Sequence, residues 1–262
     1  MVVEIDGFTR DTFAHDGITH DVYKGGGGTC VIVIHEIPGL HPQVVEFARR
    51  VVARGHSVWM PSLFGTPMRP FSIPSTLPVL ARVCVAREFT QFALTGPGPV
   101  IGWLRALAAE AHATCGGPGV GAVGMCFTGG FALGMAVDDR MLAPVLSQPS
   151  MPFPIGGKRK GAVGVDHRDL ARIHERADEG LCVLGLRFSH DGLVPAERFD
   201  ALRAALGDAF IAVEIDSSPG NPWGHSRRAH SVLTIDFVDE IGQPTHDALE
   251  RVLDFLDERL SA

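Results

Sequence analysis

The sequence predicts an α/β protein with a mostly parallel sheet and helices on both faces of that sheet. From residue 30 onward, apolar segments of strand length alternate with segments of helical periodicity, a pattern typical of parallel sheets that are covered on both sides. The composition agrees, because 45% of the 262 residues are hydrophobic and 20% are charged, which excludes a disordered chain or a coiled coil. No repeat or low-complexity linker divides the chain, so residues 1–262 are predicted to form one domain.

The elements follow from local patterns along the chain. Residues 1–28 contain a predicted antiparallel hairpin, whose strands Thr9–His15 and Ile18–Lys24 flank an Asp16-Gly17 turn. The strands predicted for the parallel part are Cys30–His35, Ser57–Pro61, Gly119–Met125, Leu142–Ser147, Leu181–Phe188 and Ala209–Ile215. The predicted helices are Pro42–Arg54, Pro99–Ala113, Thr128–Asp138, Asp169–Asp178, Pro195–Leu206 and Thr245–Leu260. Residues 61–99, rich in proline and aromatic side chains, are interpreted as a cap or insertion.

Charge and cysteine usage limit the class of partner. The net charge is −7 and the pI is about 5.9, so the chain lacks the basic surface that nucleic acids or anionic membranes require. The N-terminal residues lack the basic segment of a signal peptide, and five scattered cysteines form no C-x-x-C pair. We therefore expect a cytoplasmic protein that acts on a small molecule, with no metal and no cofactor.

The most informative segment joins an apolar strand to a helix through Gly124-Met-Cys126-Phe-Thr-Gly129-Gly. This pattern is typical of a nucleophile elbow, in which a sharp turn exposes the nucleophile and leaves no room for a Cβ at the flanking glycines. The alternative interpretation is a buried structural cysteine beside packing glycines. The elbow makes a further prediction, because an acid and then a histidine should follow in chain order.

Both residues are present. Asp191 follows the strand Leu181–Phe188 and precedes a helix that opens at Pro195, although a simple turn or capping role is the alternative. After the last strand, His225 and His230 both lie in one long loop. We predict His230 as the base, because the residues after it would anchor it, and His225 stays the alternative.

Two further positions follow the first central strand. An oxyanion needs two backbone donors, for which we predict the amides of Ile37 and of Phe127, the residue after the nucleophile. Glu36 lies beside Ile37, and its carboxylate near a thiolate would disfavour the ionised thiol. A structural salt bridge is the alternative role for Glu36.

Together these motifs resemble the dienelactone hydrolase family of α/β-hydrolases. The resemblance rests on His35-Glu36-Ile37-x-Gly39-Leu40, the Cys126 elbow, Asp191 with Val194-Pro195, and His230-Ser231. It implies an α/β-hydrolase fold and a Cys126-His230-Asp191 triad that hydrolyses an ester or lactone through an acyl-thioester. It also implies that Glu36 holds the thiol in the resting enzyme and moves away when substrate binds.

One departure concerns the substrate. The family's lactonases resemble one another in having an arginine shortly after the catalytic histidine, where this chain has Ser231-Val-Leu-Thr234. Arg82 and Arg87 are the candidates for a substitute carboxylate clamp. A non-catalytic scaffold that binds a small ligand in the same cleft is the alternative function. The oligomeric state does not follow from the sequence.

Overall fold

A sheet of eight strands forms the centre of the computed structural model, which describes residues 3–72, 79, 98–151 and 161–261. The strands are β1 Thr9–His15, β2 Ile18–Gly26, β3 Cys30–Ile34, β4 Ser57–Ser62, β5 Val120–Met125, β6 Met141–Ser147, β7 Val183–Phe188 and β8 Phe210–Ile215. Their order in the sheet is β1-β2-β4-β3-β5-β6-β7-β8. The β1–β2 and β2–β4 pairs are antiparallel and the other pairs are parallel, which confirms the predicted fold class.

Helices cover both faces of this sheet. The helices are α1 Pro42–Ala53, α2 Pro99–Cys115, α3 Gly129–Met135, α4 His167–Asp178, α5 Ala196–Leu206 and α6 Pro244–Leu260. Helices α1 and α6 pack on one face, where Val31 and Val33 point, and the other four pack on the face of Ile32 and Ile34. Because β3 is buried on both sides, its residues form a continuous apolar run rather than an alternating one.

The helix boundaries differ from the predicted ones by one to three residues, and α3 and α4 show the physical reasons. Helix α3 is shorter than predicted, because a 3-10 turn over Cys126–Thr128 precedes it and it ends at Met135. Helix α4 begins before the predicted Asp169, since the Asp166 side chain accepts hydrogen bonds from the amides of Arg168 and Asp169, each at 2.9 Å. Such a cap satisfies amides that have no partner within the helix.

Residues 73–78, 80–97 and 152–160 lie outside the described part of the chain. They include most of the predicted cap and both Arg82 and Arg87, so the clamp prediction concerns residues that the structure does not describe. No helix in the described ranges has the length and apolar character needed to span a bilayer. The carboxyl ends of the parallel strands meet at one edge of the sheet, where Glu36, Cys126 and Asp191 follow β3, β5 and β7.

Candidate active site

Cys126 lies at a sharp turn directly after β5. Its φ is +56°, a left-handed conformation that a non-glycine residue rarely adopts. A Cβ on Gly124 would lie 2.2 Å from the Thr128 carbonyl oxygen, and one on Gly129 would lie 2.8 Å from the Pro149 Cα. The turn therefore requires glycine at both positions, for the reason that the elbow motif predicts.

The Thr128 side chain fastens this turn to the neighbouring strand. Its hydroxyl accepts a hydrogen bond from the Met125 amide at 2.9 Å and donates to the Ile34 carbonyl, also at 2.9 Å. Thr128 is fully buried. These bonds hold the thiol of Cys126 at the carboxyl edge of the sheet, beside the end of β3.

Asp191 and His230 are joined directly. The Nδ1 atom of His230 lies 2.6 Å from Oδ2 of Asp191, whose other oxygen accepts the Leu193 amide at 2.9 Å. With Nδ1–H donated to the carboxylate, Nε2 is the nitrogen that can accept a proton. Nε2 is buried and has no hydrogen-bond partner among the described residues, which leaves it available to Cys126.

The surroundings of His230 favour its protonated form. Burial alone lowers the pKa of the imidazole, but the negative charge of a Cys126 thiolate and the Asp191 carboxylate outweigh burial and raise the pKa well above its usual value. A raised histidine pKa beside a cysteine is the arrangement that can give a thiolate–imidazolium pair, the reactive state of cysteine nucleophiles in general.

A second aspartate positions the main chain of His230. Oδ2 of Asp236 accepts the amides of His230 at 2.8 Å and of Ser231 at 3.0 Å. No motif marks Asp236 in the sequence, because it is one of several acidic residues in the last loop.

His225, the alternative base, lies elsewhere in that loop. Asn221 holds its main chain through two hydrogen bonds of 2.8 and 3.0 Å, and its ring packs edge-on against Phe188 with centroids 5.1 Å apart. In the described part of the molecule, its Nε2 atom is buried with no hydrogen-bond partner. Burial lowers the pKa of His225 and so favours its neutral form.

The predicted oxyanion donors lie at the ends of two paired strands. Phe127 follows Cys126 in the 3-10 turn, and Ile37 follows the end of β3, the neighbour of β5. Within the described ranges, the Ile37 amide donates to no backbone carbonyl. Both amides are therefore at the edge of the sheet where a substrate carbonyl would approach Cys126.

Glu36 is buried in a network of hydrogen-bond donors. One carboxylate oxygen accepts from the Thr234 hydroxyl and lies 3.2 Å from Nε2 of His41. The other oxygen accepts from the Ser231 hydroxyl at 2.7 Å and from the side-chain amide of Gln148 at 3.3 Å. Burial raises the pKa of the carboxyl group, but the bonds from His41, Thr234 and Ser231 prevail and lower it. Glu36 thus connects the loop after β3 to the segment that carries His230.

His35 has a structural role at the end of β3. Complete burial lowers its pKa to about 4, so the ring is neutral near pH 7. Its Nε2 atom accepts the Leu63 amide at 3.0 Å, and Nδ1–H donates to the Glu36 carbonyl, also at 3.0 Å. The bond from Leu63 joins the ends of β3 and β4.

Ser150 contacts the thiol of Cys126. Its Oγ atom lies 3.1 Å from Sγ of Cys126, and its amide donates to the Cys126 carbonyl at 3.0 Å. No sequence motif marks Ser150. It follows β6 at the edge of the sheet where Asp191 follows β7. Among the described residues, no group of three or more His, Cys, Asp or Glu side chains is arranged to hold a metal ion.

Comparison with known proteins gives a family and a fold. A family model described as the dienelactone hydrolase family matches residues 24–260. A comparison with curated protein sequences found no match. Among solved structures, a candidate dienelactone hydrolase from Klebsiella pneumoniae subsp. pneumoniae superposes with a TM-score of 0.65 at 20% identity, covering 96% of this chain and 98% of that one.

Two further solved structures have the same architecture. A dienelactone hydrolase-like promiscuous phosphotriesterase from metagenomic libraries has a TM-score of 0.63 at 16% identity, covering 97% of this chain and 98% of its own. A cold-adapted esterase from an Arctic intertidal metagenomic library has a TM-score of 0.58 at 18% identity, covering 96% and 93%. At such identities the likeness establishes the fold, which is the α/β-hydrolase fold.

Proposed function

Because the chain belongs to the dienelactone hydrolase family, we propose that it is a carboxylic-ester hydrolase that uses Cys126 as its nucleophile. The observation that carries the proposal is the 2.6 Å bond between Nδ1 of His230 and Asp191, beside a cysteine on a strained elbow. A non-catalytic protein has no need for a nucleophile, a base and an orienting carboxylate in this order. The substrates proposed are esters, lactones or thioesters.

Acylation begins with the Cys126 thiolate and the His230 imidazolium. Sγ forms a bond to the substrate carbonyl carbon, and the π electrons move to the oxygen, where the Ile37 and Phe127 amides would donate hydrogen bonds. The tetrahedral intermediate then expels the alcohol, which takes the proton from Nε2 of His230. The product is an acyl-thioester on Cys126, and Asp191 keeps the imidazole in one tautomer throughout.

Deacylation repeats these steps with water. Neutral His230 takes a proton from water through Nε2 while the oxygen attacks the thioester carbonyl. Collapse of the second tetrahedral intermediate breaks the C–S bond and releases the carboxylic acid. The thiolate and the imidazolium are restored.

Substrate preference is proposed from what surrounds the base. At the position of the lactonases' arginine, Thr234 has its hydroxyl bonded to Glu36, which favours a substrate without a carboxylate at that point. Arg82 and Arg87 stay predictions for binding an anionic substrate, and thiol gating by Glu36 stays a prediction of the family resemblance. A single domain and a cytoplasmic location also stay predictions.

The experiment that tests this function is hydrolysis of a short-chain activated ester by the freshly reduced protein and by Cys126→Ala. We expect the variant to lose at least about 10³-fold in kcat/KM, because the nucleophile is absent. Intact mass recorded during turnover should show a transient acyl adduct on the parent protein and none on Cys126→Ala. A phosphotriester belongs in the same panel, since one structural neighbour is described as a promiscuous phosphotriesterase.

Cys182→Ala is the matched control. Cys182 is a partly exposed cysteine directly before β7, and its sulfur contacts the Arg259 side chain of α6. This variant should keep both the activity and the adduct. Full activity of Cys126→Ala would refute the nucleophile. Absence of turnover and of adduct in the parent would favour the binding scaffold, which a thermal-shift screen of apolar ligands would then test.

A further inference from the structure

Ser150 contacts the reacting sulfur atom of the proposed mechanism. Its hydroxyl oxygen lies 3.1 Å from Sγ of Cys126, within hydrogen-bonding distance for sulfur. Ser150 is only 8% exposed, so water competes little for this bond. A buried hydroxyl at the nucleophile therefore has a specific partner.

The main chain around Ser150 is held from three sides. The main-chain amide of Ser150 donates to the Cys126 carbonyl at 3.0 Å, and the main-chain amide of Gln148 donates to the Leu186 carbonyl at 2.7 Å. Buried Arg198 donates to the Pro149 carbonyl at 2.9 Å. The hydroxyl is consequently fixed relative to the elbow rather than carried on a free loop.

The direction of this hydrogen bond depends on the charge of the sulfur. A thiol and a hydroxyl can each donate to the other, but a thiolate can only accept. In the proposed mechanism the sulfur that attacks the substrate is a thiolate, so the hydroxyl donates to it. Hydrogen bonds to an ionised acceptor are about twice as strong as neutral ones.

We propose that Ser150 is a further catalytic residue, whose hydroxyl stabilises the Cys126 thiolate and loses this acceptor when the acyl-thioester forms. The proposal rests on Cys126 acting as the nucleophile. A thioester sulfur carries no negative charge and accepts hydrogen bonds weakly, so the bond favours the free thiolate over the acyl-enzyme. Ser150 thereby increases the fraction of thiolate at low pH while moderating its intrinsic reactivity.

The test is the pH dependence of Cys126 alkylation by iodoacetamide, followed by mass spectrometry of the peptide that contains Cys126. In Ser150→Ala we expect the pH of half-maximal alkylation rate to rise by about one unit, because one donor to the thiolate is lost. Ser150→Thr, which keeps the hydroxyl, should stay within about 0.3 unit of the parent. Ser226→Ala removes an exposed serine hydroxyl and should leave the midpoint unchanged.

Either of two results would overturn the proposal: an unchanged midpoint in Ser150→Ala, or a shift in Ser150→Thr as large as that in Ser150→Ala. The second result would mean that packing, not the hydroxyl, sets the reactivity. Melting temperatures establish that each variant is folded. Alkylation needs no turnover, so a shifted midpoint in a protein that hydrolyses no ester would refute the hydrolase proposal and leave the Ser150–thiolate bond in place.

Discussion

His225 and His230 lie five positions apart in one loop, yet they have opposite electrostatic environments. His230 donates to the Asp191 carboxylate, and its pKa is raised; His225 is buried against Phe188, and its pKa is lowered. Burial acts in the same direction on both rings. Contact with a carboxylate and a cysteine, rather than burial, therefore separates the proposed base from its alternative in this loop.

The most direct test of which histidine is the base is to remove each imidazole in turn. We expect His230→Ala to lower kcat/KM for the activated ester by at least about 10³-fold, because it removes the proposed acceptor of the Cys126 proton. His225→Ala should stay within about 2-fold of the parent, since no bond links His225 to Asp191 in the described part of the chain. Steady-state kinetics of both variants at one pH measure this, and the reverse pattern would assign the base to His225.

A smaller effect is expected from the carboxylate that anchors the His230 segment. Glu36→Gln replaces an acceptor of four hydrogen bonds, so we expect a loss of about 1–3 kcal/mol in the free energy of unfolding. Activity should fall about 10-fold, because His230 is held less firmly. Urea denaturation and ester hydrolysis provide the two measurements, with exposed Glu240→Gln as the control.

The pH dependence of the Glu36→Gln deficit has a definite sign. Folding lowers the pKa of Glu36, so the stability that its ionised form contributes is present above the carboxyl's ordinary pKa and is lost as the pH falls through the lowered one. The deficit should therefore be largest near neutral pH and shrink in acid. If Glu36 also reaches the thiol, as gating requires, alkylation of Cys126 in Glu36→Gln will move to lower pH; an unchanged midpoint leaves the carboxylate as an anchor alone.

The smallest effect is expected at His225 itself. His225→Leu removes a buried nitrogen that has no partner among the described residues, so we expect the melting temperature near pH 7 to rise by about 2 °C. This gain should grow as the pH falls toward 5, because the unfolded chain binds a proton to His225 before the native state does. Differential scanning calorimetry at several pH values measures it, and a destabilised variant at every pH would indicate that Nε2 is paired after all.

Local sequence was sufficient to predict the architecture and the sharp turn at Cys126. The apolar run Cys30–Ile34 and the glycines at 124 and 129 are local signals, because strand burial and backbone crowding act within a few residues. Boundaries were less accurate where side chains cap main-chain groups, as Asp166 does before α4. Arg82 and Arg87 lie outside the described residues, so the predicted clamp stays a prediction.

Local patterns in the chain were enough to predict a mostly parallel sheet, a sharp turn at Cys126, and a cysteine, an acid and a histidine in that order. The tertiary fold was needed to show which histidine meets Asp191, that Asp236 holds its main chain, and that Ser150 lies against the thiol. The reason is distance along the chain: Ser150 is 24 residues from Cys126, and Asp191 is 39 residues from His230. Hydrogen bonds over such separations depend on where strands end in the sheet, and neither periodicity nor motif spacing specifies the orientation of side chains there.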